Sequence, residues 1–567
     1  MNYLSFANSL LMSSTEELAN VPAPLGFDSW ITFWLIMFIS VANAVLLAFV
    51  SYKFFQVLQL SGYKLKGLFA WMKENKGSDW GRLVILSFLS CAALLITNVL
   101  LEDFLVYKIM TYLGLIFYAI FTVVYIINVF SVSKKTPLRY TKRMKRMIGI
   151  FAILVFIVTY VLLRVSVLNI PYFTHGIIGL TPMLVPILVV IAFLITLPFE
   201  TLNNKSFIRR AVKKLSAHEN LIKIGVTGSF GKTSVKNILT VMLSSKYKVL
   251  SSPYSYNTPL GLSKTILEDL KPSTQVFIAE MGARYVGDIK ELANMIKPQM
   301  GIITGIGNQH LGTFITQENL KNTKFELADY VWANKGKMFF SADNENLMAA
   351  LENRQDCGDS IVAGVNGEIL KADNISFNAS GSTFDIVYKN TRLACKTTLL
   401  GRHNISNILL CASVALSLGV SIEEIQESIL ALAPTAHRLA LVPSSSSLTV
   451  IDDAYNGSVE GAKAALEVIS SFPQKKFVVT PGLIELGDQQ FNSNFEMGIE
   501  MAKVCDYVII TGITNYEAIS AGLEFGGFDT TKILRAGSVS QAVEFVSTFA
   551  SPGDVCLFEN DLPDNYA

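Results

Sequence analysis

Apolar residues are distributed very unevenly along this chain. Long apolar runs occupy about 29–50, 83–101, 105–130, 147–168 and 177–198. Each comes close to the roughly 20 residues that a helix needs to cross a hydrocarbon layer. The runs predict an α-helical membrane domain of five spans within 27–200, preceded by a polar segment, 1–26, that contains Pro22 and Pro24. That segment has neither a charged leader region nor a cleavage pattern, so it is read as an external N-terminal segment and not as a signal peptide. From residue 221 the texture changes. Short apolar runs (Val276–Ala279, Met300–Thr304, Lys337–Phe340) alternate with amphipathic helical patterns, which predicts a mostly parallel sheet covered by helices. Around 361–400 the runs shorten and a turn signal appears at Ala379–Ser382, which predicts an antiparallel insert. After Pro434 a second α/β series begins, with strands expected at Leu448–Ile451, Phe477–Thr480, Tyr507–Thr511 and Val555–Phe558. The expected organisation is therefore a central domain over 215–433 and a C-terminal domain over 434–567.

Charge adds an orientation to the membrane domain. The first loop carries Lys53, Lys64, Lys66, Lys73 and Lys76, and the third carries Lys134, Lys135, Arg139, Lys142, Arg143, Lys145 and Arg146. Lys205, Arg209, Arg210, Lys213 and Lys214 follow the last run. The second loop has only Glu102 and Asp103, and the fourth, Asn169–His175, has no Lys or Arg. Basic loops stay on the cytosolic side, so the N-terminus is expected outside and everything after residue 200 inside. Composition agrees: 51% of the 567 residues are hydrophobic and 16% charged, too apolar for an ordinary soluble enzyme. A net charge of +2 leaves no electrostatic footprint for nucleic acid. Cys91, Cys357, Cys395, Cys411, Cys505 and Cys556 are scattered without a C-x-x-C pair, which argues against a disulfide framework or a zinc site.

The candidate chemistry begins at Lys223–Ser234. An apolar strand runs into Thr227-Gly228-Ser229-Phe230-Gly231-Lys232-Thr233-Ser234, and a helical pattern follows from Val235. Glycines let backbone N–H groups close around phosphate oxygens, Lys232 adds a charge, and the Thr233 hydroxyl is placed for magnesium. Val226 stands where the longer phosphate-loop spacing has glycine. Further along, Glu280 ends a predicted strand, where a magnesium ligand belongs. His310 follows another strand, with Lys324 fourteen residues on. Asn404 and Asn407 open a helix, and the run Asp452-Asp453-Ala-Tyr455-Asn456 closes a strand with polar groups suited to a ribose, hydroxyl or amine.

Together these motifs resemble the Mur ligase family, ATP-dependent ligases of peptidoglycan synthesis, over roughly 220–560. The likeness is greatest to the branch that adds D-Ala-D-Ala to a UDP-muramoyl peptide. Its markers are the short phosphate loop, Asn257-Thr258-Pro-Leu-Gly-Leu262, Glu280, His310, Lys324, Gly401-x-His-Asn404-x-x-Asn407, Arg438, Asp452-Asp453-x-Tyr455-Asn456 and Glu485-Leu-Gly487. The resemblance implies a Mur-type parallel-sheet ATPase domain followed by a Rossmann-like domain. It implies ATP contacts from Gly228, Ser229, Gly231, Lys232, Thr233, Ser234, Asn404, Asn407, Arg438, Asp453, Tyr455 and Asn456. Thr233, Glu280, His310 and a carbamylated Lys324 would serve Mg2+, Lys232, His310 and Lys324 would be catalytic, and Asn257, Thr258 and Glu485 would meet substrate. The implied reaction passes through an acyl phosphate, which an amine then attacks.

The chain also departs from that branch. Membrane spans stand where the UDP-sugar domain is expected, and Phe558-Glu559-Asn560 replaces a Lys-Gly-Ser stretch. Asn494 replaces a common His, and Gly312 a common acidic residue. These departures point to a ligase anchored in the bacterial inner membrane with cytosolic catalytic domains. It would join an amino acid or amine to a carboxylate on a lipid-linked or saccharide acceptor. Two alternatives stand beside it: a membrane-tethered D-alanyl-D-alanine-adding ligase using a UDP-linked acceptor, and a nucleotide-gated membrane transporter.

Overall fold

The computed structural model describes residues 30–74, scattered positions between 81 and 129, and 137–169, 176–307, 316–354, 357–434, 438–442, 448–454 and 459–560, apart from isolated positions within these ranges. The chain divides into two compact units, Met1–Asn204 and Lys205–Ala567.

The first unit is helical. Its helix Trp30–Val50 is apolar on every side, and Lys142–Asn169 is apolar beyond its basic start, Lys142 to Arg146, apart from Arg164. Leu47, Met147, Phe151 and Val189 are buried among neighbouring helices, while Phe38, Phe49, Ile153, Ile157, Ile187 and Leu194 face outward. An all-round apolar helix belongs in lipid or a large core. Among the described residues three helical stretches are long and apolar enough to cross a membrane: Phe33–Val50, Lys142–Arg164 and Thr181–Ser216. The expectation was five. The run 83–101 and much of 105–130 lie outside the described residues, and what is described of the latter includes the shorter apolar helix Tyr118–Ile127. Asn43 ties this unit together: its amide donates to the Thr159 and Thr181 hydroxyls at 3.0 and 3.1 Å and accepts from the Tyr118 hydroxyl at 2.7 Å.

The second unit is built on two sheets. The first contains β1 (Ile222–Thr227), β2 (Val249–Ser251), β3 (Val276–Glu280), β4 (Met300–Ile303), β5 (Lys337–Ser341) and β6 (Ser360–Ala363). Their order is β2-β3-β1-β4-β5-β6, and every pairing is parallel. Parallel strands require crossovers, and the helices that make them cover both faces, so the strands are buried on both sides. One face packs against Lys232–Ser244, Arg402–Ser417 and Ile422–Leu430, and the other against Pro259–Asp269, Asp288–Ile296 and Gln317–Ala333. The chain turns from one side of β1 to the other between β3 and β4, which makes the carboxyl end of β1 the switch point where open α/β sheets bind ligands.

The predicted antiparallel insert is a three-stranded sheet of β7 (Leu370–Asn378), β8 (Gly381–Tyr388) and β9 (Thr391–Thr397). The run at 360–363 is not part of it but pairs parallel with β5. The last sheet has the order β10 (Ala440–Val442), β11 (Thr449–Asp453), β15 (Val555–Glu559), β12 (Lys476–Thr480), β13 (Tyr507–Thr511) and β14 (Ile533–Ala536). Only β10 runs antiparallel, against β11. The sequence pattern missed β10 and β14, strands of three and four residues at the two sheet edges that are too short to show a strand period.

Candidate active site

The phosphate loop sits at the carboxyl end of β1. Gly228 has φ 151° and Gly231 φ 76°, conformations that favour glycine. A Cβ at Gly228 would collide with the Thr304 hydroxyl, which itself donates to the carbonyls of Phe230 and, at 3.3 Å, Thr227. The helix begins at Lys232, not at Val235: Lys232, Thr233 and Ser234 form its first turn, so its unsatisfied N–H groups face the loop. Lys232 folds back, its ammonium donating to the carbonyls of Gly228 (2.7 Å) and Ser229 (3.0 Å). Burial pulls its pKa down to about 8, with Arg438 adding to the effect and Glu280 opposing it. The buried Ser229 hydroxyl has no partner among the described residues.

Glu280, at the end of β3, gathers the neighbouring polar groups. Its carboxylate accepts from the Thr233 hydroxyl at 3.0 Å and from the Asn257 amide at 3.2 Å, and lies 3.3 Å from the Lys236 ammonium. Thr258 has a different part: its hydroxyl caps the helix Pro259–Asp269 by accepting the Gly261 N–H. Lys324 is buried on the helix Gln317–Ala333. Burial, then the Lys232 charge, lowers its pKa to about 7, against the opposing pull of Asp288 and Glu326. Glu326 is engaged separately, accepting the N–H groups of Gly287 and Lys290 at 2.8 Å each. His310 lies outside the described residues.

A cavity of about 280 Å³ opens beside the phosphate-loop helix. Ser234, Asn237, Asn404, Leu432 and Arg438 are among its lining residues. Asn404 also donates to the Leu400 carbonyl at 2.8 Å, and the Asn407 side-chain oxygen lies 3.3 Å from where a Gly231 Cβ would stand. Asp453 accepts the Leu439 N–H at 2.9 Å and is the register partner of Glu559 on β15. Burial raises the pKa of both, that of Asp453 to about 6 against the opposing pull of the Leu439 N–H and Arg438, and the Asp453 charge pushes Glu559 up further. Tyr455, Asn456 and Glu485 lie outside the described residues. Asn494 is fully buried and its amide is saturated by the backbone of Leu483 and Gln490, so it holds a turn instead of facing a ligand. Sequence reasoning missed Lys236. A lysine one turn after Lys232 reads as a solvated helix residue, and only the fold encloses it.

A parallel sheet with a short phosphate loop at its switch point, followed by a second α/β sheet, defines a two-domain phosphate-loop protein. Residues 226–415 match the family model described as the Mur ligase middle domain, and residues 437–559 the one described as the Mur ligase glutamate ligase domain. The chain belongs to the Mur ligase family, whose members are ATP-dependent, ADP-forming peptide ligases. It is 26% identical over 341 residues to the UDP-N-acetylmuramoyl-tripeptide–D-alanyl-D-alanine ligase of Bacillus subtilis, covering 59% of this chain and 72% of that one. The enzyme of the same name from Mycobacterium tuberculosis strain H37Rv is 28% identical over 291 residues, covering 48% of this chain and 55% of that one. This chain thus spans little more than half the length of the second relative. Among solved structures, a MurF ligase from Thermotoga maritima in complex with ADP superposes with a TM-score of 0.56 at 24% identity, covering 63% of this chain and 80% of that one. A MurF from Acinetobacter baumannii gives 0.56 at 22%, covering 63% and 77%. These two likenesses concern the fold.

Proposed function

We propose that this chain uses ATP to form an amide bond between D-alanyl-D-alanine and the terminal carboxylate of a UDP-muramoyl tripeptide, as the names of its relatives describe for them. The observation that carries this reading is the convergence of Lys232, Thr233, Glu280, Asn257 and Lys324 around the carboxyl ends of β1 and β3. Residues 215–433 form the ATP-binding domain in this reading, and 434–567 close over it.

The amides of Gly228, Ser229 and Gly231 surround the β- and γ-phosphates, and the Ser229 hydroxyl gains the partner it lacks. Lys232 leaves the loop carbonyls for the phosphate oxygens. The cavity takes the adenine, with Asn404 and Asn407 at its rim, and Arg438, Asp453, Tyr455 and Asn456 meet the ribose and phosphates. The Thr233 hydroxyl and Glu280 carboxylate are the hard oxygen donors that Mg2+ takes in small number while it keeps water and phosphate. When bound there, Mg2+ supplies charge neutralisation at the phosphates, and His310 would serve a second ion.

Lys324 has a further part. Its lowered pKa leaves much of it as free amine near neutral pH. The amine nitrogen attacks CO2, a proton leaves, and the resulting carbamate is an anion suited to the same hard cation. The acceptor carboxylate attacks the γ-phosphorus and ADP departs. The amine of D-alanyl-D-alanine then attacks the acyl carbon, the C–O bond to phosphate breaks, and a proton is released. Asn257 and Glu485 hold the substrates, and Thr258 caps the helix that follows Asn257. Closure of the C-terminal domain keeps water from the acyl phosphate.

To test this, the purified full chain is given ATP, Mg2+, UDP-muramoyl tripeptide and D-alanyl-D-alanine. ADP release that depends on both substrates is expected, and its absence refutes the reading. The long apolar helices favour a second reading, in which the chain sits in the bacterial inner membrane and the acceptor is lipid-linked. That acceptor forms a second arm of the same assay. The relatives lend nothing to a transporter.

A further inference from the structure

Lys236 is the least exposed lysine near the site, 2% exposed, and its partner Glu280 is 1% exposed. Its ammonium lies 3.3 Å from the Glu280 carboxylate and also donates to the Tyr254 carbonyl. Three elements therefore meet on one side chain: the phosphate-loop helix, the end of β3 and the loop that follows β2. Burying an ammonium is costly, and an apolar residue of similar volume would fill the space without that cost.

The loop it holds, Ser252–Thr258, is fastened to β3 elsewhere too. The Ser252 N–H donates to the Ile278 carbonyl at 3.1 Å, the Glu280 N–H to the Ser252 hydroxyl at 3.3 Å, and the Gly282 N–H to the Asn257 carbonyl at 2.9 Å. Between these points Tyr254 adopts a left-handed φ of 48° while its side chain is 83% exposed. A non-glycine residue holds that conformation only where its surroundings impose it. The bond from Lys236 to the Tyr254 carbonyl supplies such a constraint, and it anchors the stretch that leads into Asn257.

We propose that Lys236 is a positioning residue that ties the Ser252–Thr258 loop to Glu280, and so fixes where the acceptor sits relative to the nucleotide. This rests on the reading that Glu280 marks the ATP end of the site and Asn257 the acceptor end. Lys236 touches neither substrate. It acts through Glu280 and the Tyr254 carbonyl.

The test uses the full chain as Lys236→Met, Lys236→Arg and the charge-balanced Lys236→Met/Glu280→Gln. Amide hydrogen exchange is followed over 252–258 without ligands. In Lys236→Met that exchange rises about tenfold or more while β1 and β4 keep the parental rates, as local opening predicts. The arginine variant restores most of the protection, and the double variant, with no uncompensated buried charge, still exchanges fast in the loop. In turnover, Lys236→Met raises the acceptor KM about tenfold and leaves the ATP KM within about twofold, a split that a general loss of stability would not give. Unchanged loop exchange in both Met variants, equal rises in both KM values, or global unfolding of both variants overturns the proposal. A parent enzyme with no ligase turnover refutes the proposed function, while the exchange measurement still decides the role of Lys236.

Discussion

Gly228→Ala is the most direct test of the phosphate loop. Two costs follow from the geometry. At φ 151° alanine is strained, which costs about 1–3 kcal/mol. Its Cβ would also press into the Thr304 hydroxyl and stand 3.2 Å from both the Gly305 nitrogen and the Phe230 oxygen. Thr304 cannot turn aside without losing its bonds to the Phe230 and Thr227 carbonyls, so overpacking adds about 1–3 kcal/mol. A loop distorted by at least about 2 kcal/mol binds roughly 30-fold more weakly. Calorimetric titration of a non-hydrolysable ATP analogue into parent and variant measures this. Thr304→Ala alone loses about 1 kcal/mol of hydrogen bonding. In Gly228→Ala/Thr304→Ala the clash with the hydroxyl is gone while the strain and the tight backbone contacts remain, so the double variant binds more tightly than the sum of the single effects requires. Binding by Gly228→Ala within about twofold of the parent, equivalent to less than about 0.5 kcal/mol, would refute this account of the loop.

Other outcomes follow from the same structure. Lys324→Ala lowers ADP release by about 10- to 100-fold, the scale of losing a group that serves a metal site; added acetate or formate restores part of it. Only the free amine of Lys324 takes up CO2, so bicarbonate stimulates parental activity more as pH rises from 6 to 8, through its pKa of about 7. Asp453 has its folded pKa raised to about 6 by burial, so the stability it contributes is present below its unfolded value and is lost as pH rises through 6. Asp453→Asn therefore stabilises the protein by about 1–3 kcal/mol at pH 7–8, a gain that shrinks toward zero near pH 4, read by chemical denaturation at each pH. Asn494→Ala leaves the buried Leu483 N–H without its partner, while Asn515 still donates to the Leu483 carbonyl at 3.1 Å, and costs about 1–3 kcal/mol in the same assay. Asn43→Ala costs the helical unit about 1 kcal/mol, measured as lower thermal stability in detergent.

The periodicity of the chain was enough for the central strands of both sheets, because a parallel strand buried on both faces is a continuous apolar run with little to imitate it. The edge strands β10 and β14 escaped because a strand of three or four residues is too short to show a period, however apolar its residues. Glycine spacing located the phosphate loop for a local reason: its φ values are set within a few residues. Glu280, Asn257 and Lys324 were legible only as polar residues near strand ends and helices. What makes Glu280 a centre is the parallel register that puts the end of β3 beside the end of β1, and neighbourhood between distant segments is not written in either segment alone.

Thr258 and Asn494 show the same limit from the other side. Both were polar residues at suggestive positions, and the fold occupies both, one with a helix cap and one with a turn. Lys236 shows it most fully. The sequence by itself determined an apolar helical region, two α/β units and a phosphate loop, since each depends on patterns within a few turns of chain. Only the tertiary structure decided which charges are buried together, because desolvation and pairing depend on what packs around a side chain. Enclosure is what turned a lysine on a helix into the partner of Glu280.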